Sequence, residues 1–235
     1  MRRWKFLALL TSGVMAATAV AAPAGASTAF TDEAAQEMRD QMATLGIDAL
    51  TSDALITKLE SGVLPDSMSP GATPVSTETV TRPGGTETRQ VYADGSVNEV
   101  TVQAPRVMTV KDPLAQLQGA FISECYRSSS GSYVYYSNCK VEYSGIMMYD
   151  SFRADYNVYK GTTARISNVY SHSILVFGGT YSNVQLTRPR TTQSGSLPAV
   201  GRLQYSVQPG GVLPMSFTTW TELRVKGTSA TVHIG

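Results

Sequence analysis

Histidine and cysteine are nearly missing from this chain, with two of each in 235 residues. A nucleophilic hydrolase needs a base beside its serine, most often histidine, and here only His172 and His233 could serve. His233 alternates with Val232 and Ile234 and is expected to face solvent, while His172 falls in SHS, read as a turn between two strands. There is no G-x-S-x-G. H-E-x-x-H, C-x-x-C and an Asp-rich calcium loop are missing as well, so the sequence implies no metal and no cofactor.

Long apolar runs are missing after the first residues. The exception is MRRWKFLALLTSGVMAATAVAAPAGA, where Arg2, Arg3 and Lys5 precede an apolar run from Phe6 to Val20 and small residues follow. This reads as a secretory signal peptide over 1–26, with Ala24, Gly25 and Ala26 as the cleavage site. A run of about 15 residues is shorter than the roughly 20 needed to span a bilayer. The mature chain is therefore expected to be secreted, extracellular and not membrane-spanning. Outside the cytosol Cys125 and Cys139 are each other's obvious partners, and closing that loop is worth about 3 kcal/mol by the chain-entropy argument.

A surplus of one charge sign is missing too. Without the signal peptide the 19 basic residues fall to 16 against 18 acidic ones, a net charge of −2, which argues against nucleic acid as a partner. The balance hides an asymmetry. Residues 27–115 hold 6 Lys/Arg and 13 Asp/Glu, whereas 116–235 hold 10 and 5. The two halves could attract each other, or the basic half could serve an anionic cell-wall polymer.

Helical periodicity is confined to a segment over 27–64. Thr31 is a candidate N-cap, Ala35, Met38, Met42 and Leu45 form one stripe, and Gly46 is placed to stop the helix. A second helix is expected over Ser52–Ser61, ended by Gly62. Residues 65–76 contain Pro65, Pro70 and Pro74 and read as a linker. Over 77–103, PGG and ADG punctuate three strand-forming runs, a β-meander that should gather Val80, Val91, Val100 and Val102 on one face. The stretch PVSTETVTRPGGTETRQVYADGSV resembles a segment of uncharacterised secreted proteins of actinobacteria. That resemblance implies export from a Gram-positive cell and assigns neither an activity nor a site residue.

From 116 to 235 the pattern is strand after strand. Phe152, Ala154, Tyr156 and Val158 alternate, as do Leu203, Tyr205 and Val207, then Met215, Phe217, Leu223 and Val225, then Ala230, Val232 and Ile234. The fold class is mainly β: an antiparallel β-sandwich or jelly-roll-like domain, preceded by two short helices and a small β-meander.

The two cysteines bracket CYRSSSGSYVYYSNC. If they face each other on adjacent strands, every pair sums to 264: Phe121 meets Tyr143, Ser123 meets Val141, Glu124 meets Lys140, Tyr126 meets Asn138 and Ser128 meets Tyr136. Tyr126 and Tyr136 then fall on the solvent face and Tyr133 and Tyr135 on the core side, with a Ser/Gly tip projecting beyond the staple. Tyrosine, serine and glycine suit an adaptable recognition surface, although eleven of the twelve tyrosines follow residue 120 and tyrosine is also ordinary strand vocabulary. The expected function is non-catalytic binding, with Tyr126, Arg127, Tyr136 and Asn138 contacting a polysaccharide or an anionic cell-wall polymer. Two alternatives stand beside it. One is an extracellular protease inhibitor using the braced hairpin; the other is a carbohydrate-active enzyme drawing paired carboxylates from Glu124, Glu142, Asp150, Asp155 and Glu222. The sequence leaves the oligomeric state open.

Overall fold

A computed structural model describes residues 29–107, 124–210 and 216–235, so the expected signal peptide and Met215 lie outside the described residues. The first sheet holds β1 (Ser76–Arg82), β2 (Gly85–Val91), β3 (Val97–Gln103), β4 (Arg106–Val107), β5 (Tyr126–Ser130), β6 (Tyr133–Ser144), β7 (Met148–Tyr159) and β8 (Thr163–Val176). Its strands run β1-β2-β3-β6-β7-β8; β5 takes over from β3 along the same edge of β6, and the two-residue β4 adds parallel to β5. The second sheet holds β9 (Gly179–Arg190), β10 (Ala199–Pro209), β11 (Phe217–Lys226) and β12 (Ser229–Ile234), in the order β12-β11-β10-β9. Packed face to face, the two make the mainly β sandwich that the alternation predicts.

The alternating sets are the core. Phe152, Ala154, Tyr156 and Val158 of β7 are buried against Leu203, Tyr205 and Val207 of β10 and Leu223 and Val225 of β11. At Gly201 the sheets come so close that a Cβ would lie 2.8 Å from Val169 Cγ1, which leaves room for glycine alone without movement. The predicted turn at SHS is instead a bulge inside β8: Ser171 has φ +51 and the pairing with β7 shifts there. A single long strand runs through His172, which is exposed.

Two helices precede the strands. In α1 (Asp32–Thr44) the Ala34 N–H donates to the Thr31 hydroxyl at 3.2 Å. α2 (Ala49–Glu60) starts three residues before the predicted Ser52, because Asp48 is its cap and accepts from the Thr51 N–H at 3.0 Å and hydroxyl at 2.7 Å. Gly46 (φ +68) and Gly62 (φ +81) stop the helices where the sequence places them. Met38, Met42, Leu45, Leu55 and Leu59 are buried in the same core as the sheets. The pair caps one end of the sandwich. Gln41 donates to Ser144 Oγ and Gly145 O at the β6–β7 turn, Phe30 and Met38 lie against Gly178 at the β8–β9 turn, and Thr51 lies against Gly95 at the β2–β3 turn.

Lys58 of α2 pairs with Asp94 of the β2–β3 loop at 2.8 Å, but this is charge within the acidic half rather than attraction between the two halves. Among the described residues the ion pairs lie within one half of the chain or the other, apart from Arg106–Glu124.

The meander departs from the pairing that two-residue turns at Gly84–Gly85 and Asp94–Gly95 imply, Arg82 with Glu87 and Tyr92 with Val97. Arg82 pairs with Gly85, and Val91 pairs with Val97 around a three-residue loop, Ala93 to Gly95, closed by Tyr92 N–H to Ser96 O at 2.9 Å. A loop one residue longer than expected moves alternate side chains to the other face. Val100 and Val102 thus pair with Tyr143 and Val141 of β6 and turn inward, while Val80 sits opposite Glu87 on the other side. Through β3 the meander is continuous with the first sheet.

Candidate functional site

The cystine forms, Cys125 to Cys139, with both residues buried. The register built on it does not. Tyr126 pairs with Ser137, Arg127 with Tyr136 and Ser128 with Tyr135, one residue off the expected series. The extra residue is Asn138. It sits in a bulge of β6 with φ +62, its N–H donates to Asp155 Oδ1 at 2.7 Å, its side-chain amide donates to Glu124 O at 3.1 Å, and its carbonyl accepts from Arg153 at 2.8 Å. A slip of one residue exchanges the faces.

The expected four-residue site is therefore not brought together. Tyr136 turns inward and stacks on Tyr156, with centroids 4.5 Å apart and planes 11° from parallel. Arg127, its pairing partner, shares that side, while Tyr126 is half-buried on the opposite face. Burial and the neighbouring Glu124 carboxylate raise the Tyr126 hydroxyl pKa above its usual range. Asn138 is fully engaged in holding the bulge. Phe121 and Ser123, the expected partners of Tyr143 and Val141, lie outside the described residues; Val100 and Val102 of β3 stand opposite Tyr143 and Val141, and Lys140 bonds Glu142 at 2.6 Å while Glu124 bonds Arg106 at 2.8 Å.

What the slip exposes is the pair placed on the core side by the sequence. Tyr133 and Tyr135 point outward, 41% and 39% exposed, and Tyr159 joins them at 37%. The Tyr133 ring is 5.8 Å from Tyr135, stacked along β6, and 4.9 Å from Tyr159 across to β7. Lys160 Nζ lies 5.3 Å from the Tyr159 ring centroid. Strand register extends this into two rows across β5, β6, β7 and β8: Ser130, Tyr133, Tyr159, Thr163, and beside it Ser128, Tyr135, Asn157, Arg165. Three interstrand spacings make each row about 14 Å wide. The result is a solvent-facing platform with aromatic rings at its centre and hydroxyl, amide and cationic groups around them.

The hairpin tip does not project freely, since the Lys160 N–H donates to Ser132 O at 2.8 Å and β7 supports β6 out to Tyr133. The five carboxylates considered for glycosidase chemistry are engaged separately. Glu124 and Glu142 are ion-paired as above, Asp155 holds Asn138 and accepts from Tyr170 at 3.0 Å, and Glu222 lies between Arg202 and Arg224. Asp150 is inside the sandwich, where Oδ2 accepts from the hydroxyls of Tyr205 at 2.9 Å and Thr221 at 3.0 Å. Burial lifts its pKa to about 7 against those two hydrogen bonds.

Beside Asp150, the Tyr143 hydroxyl donates to Asn98 Oδ1 at 3.0 Å at the wall of a cavity of about 440 Å³ under Leu64, Met68 and Phe217. Asn98 in turn donates to Ser67 O at 2.9 Å, so its amide ties the 65–76 segment to the sheet.

No family model, no curated protein and no solved structure matches the chain. Among the described residues no helix is long and apolar enough to cross a membrane, and the disulfide is compatible with an extracellular location.

Proposed function

We propose that this is a secreted, non-catalytic binding protein that holds polysaccharide of the cell envelope on its outer tyrosine platform. The observation that carries this is the contiguity of Tyr133, Tyr135 and Tyr159. Aromatic rings left in mutual contact on an open sheet face offer flat apolar area to the C–H faces of sugar rings, and their hydroxyls reach sugar hydroxyls. Because four hydrogen-bonded strands fix the platform, little conformational freedom is lost on binding. Ser128, Ser130 and Asn157 supply polar contacts at its margin. The inhibitor reading is weaker, because an inhibitory loop must stand clear of its scaffold and this tip is tied to β7.

The test is a glycan array probed with the full-length protein as secreted, followed by Tyr133→Ala/Tyr159→Ala on any polymer bound. Binding to one or more polysaccharides, lost in the double variant at unchanged melting temperature, is the expected result. A blank array, or binding indifferent to the double variant, overturns the reading.

A further inference from the structure

On the opposite side of the molecule, the outer face of the second sheet carries a cluster that the tyrosine platform does not use. Cross-strand register sets out its rows: Thr187, Arg202, Glu222, His233, and next to it Gln185, Gln204, Trp220, Gly235. Arg202 grips Glu222 Oε1 through Nε at 2.7 Å and Nη2 at 2.5 Å; Arg224 grips Oε2 through Nε and Nη2, both at 2.7 Å. Both guanidinium groups also lie against the Trp220 indole, 5.2 and 5.9 Å from its centroid.

An ordinary surface ion pair stays hydrated and orders little. Here the Glu222 side chain is only 3% exposed, although Thr231 and His233 of the same face are open to solvent. Each of its oxygens is held by one guanidinium group. It neutralises one of two positive charges and fixes both planar forks by their Nε–Nη2 edge, so the Nη1 side of each guanidinium points away from it. Burial and Arg224 lower the His233 pKa against the opposing pull of Glu222, which disfavours the imidazolium. A preorganised surplus cation beside a partly exposed indole is a receptor for a ring that bears an anion.

We propose that this face is a second binding site, taking a sugar that carries a carboxylate or phosphate, with its ring on Trp220 and its anion received by Arg202 and Arg224. The site is independent of the tyrosine platform. Trp220 reports on it directly: Trp4, the other tryptophan of the chain, falls in the expected signal peptide, so the secreted protein carries Trp220 as its single tryptophan, excited selectively over the tyrosines.

Three probes are titrated: oligogalacturonate for carboxylate, poly(glycerol phosphate) for phosphate, and a neutral galactan. The expected result is a saturable change in Trp220 fluorescence with one or both acidic polymers and none with galactan; which acid responds identifies the anion. Arg224→Gln should weaken the response about tenfold, the loss of one charged hydrogen-bonding group, and raising NaCl to about 0.5 M should weaken it as well. Gln204→Glu keeps both partners of Glu222 and places a competing carboxylate beside Trp220, so it must also reduce binding even if Arg224→Gln fails to fold. Tyr133→Ala/Tyr159→Ala should leave the signal intact. The proposal is overturned by no response to either acid, by an equal response to galactan, or by indifference to Gln204→Glu.

Discussion

The Asn138 N–H reaches across from β6 to donate to Asp155 Oδ1 on β7 at 2.7 Å, and this bond fixes which tyrosines meet the solvent. It secures a left-handed residue in the bulge between Tyr136 and Cys139. Beyond the bulge Tyr133 and Tyr135 face out; before it Cys139, Val141 and Tyr143 face in. Asn138→Val should cost about 1–2 kcal/mol, because a β-branched residue resists positive φ and the amide bond to Glu124 O is lost. Urea denaturation measures the change, and an unaltered midpoint would mean that the bulge is not held in this way.

The two inward and outward tyrosines should behave oppositely. Tyr136→Ala removes a ring stacked on Tyr156 and should destabilise by about 2–3 kcal/mol, whereas Tyr133→Ala, on the open face, should change stability by less than about 1 kcal/mol. Thermal melts of the two single variants check the ordering, and a larger loss for Tyr133→Ala would contradict the register.

Asp150 predicts an unusual dependence on pH. Its folded pKa, about 7, lies above the unfolded carboxylate value, so the native state binds the proton more tightly. The stability it supplies is complete below about pH 4 and lost as pH rises through about 7, a change on the order of 3–4 kcal/mol for a shift of this size. Asp150→Asn keeps an acceptor for Tyr205 and Thr221 and cannot ionise. It should raise the melting temperature at pH 8 and flatten the profile between pH 4 and 8. A parallel profile for wild type and variant would remove Asp150 as its source.

Asp94 has the opposite sign. Burial would raise its pKa, but bonds from Lys58, from Ser96 and from the Asp66 N–H bring it down to about 2. Its contribution is present above the unfolded value near 4 and lost as pH falls through about 2. Asp94→Ala should loosen the join between α2, the 65–76 segment and the β2–β3 loop. Hydrogen exchange at Asp66 and Ser67, whose N–H groups bond across that join, and at Ser96, whose N–H bonds Asp94 within the loop, should rise in the variant; unchanged protection would show that apolar packing alone holds it.

The strands and helices were legible in the sequence because their signal is local. Alternation at Phe152 to Val158 and Leu203 to Val207, and stops at Gly46 and Gly62, depend on neighbours a few residues away. The site was not legible, because it turns on one extra residue. A cystine shows that two cysteines are near, not that they are paired across a ladder, and no local feature of SNC distinguishes a regular strand from a bulge. One signal was available: Val134 lies between Tyr133 and Tyr135, and a valine facing the core would have put both tyrosines outside. The Trp220 cluster was missed for a similar reason, since Arg202, Glu222 and Arg224 meet only once β10 and β11 are in register.

Affinity electrophoresis through gels containing the polysaccharide selected by the array tests the central claim most directly, with Tyr133→Ala/Tyr159→Ala and Tyr136→Phe run beside the wild type. Two lost ring contacts should weaken retardation about tenfold in the first variant, while Tyr136→Phe, whose ring is turned inward, should migrate as the wild type. Equal retardation of the wild type and the double variant, or no retardation of the wild type, would contradict the account.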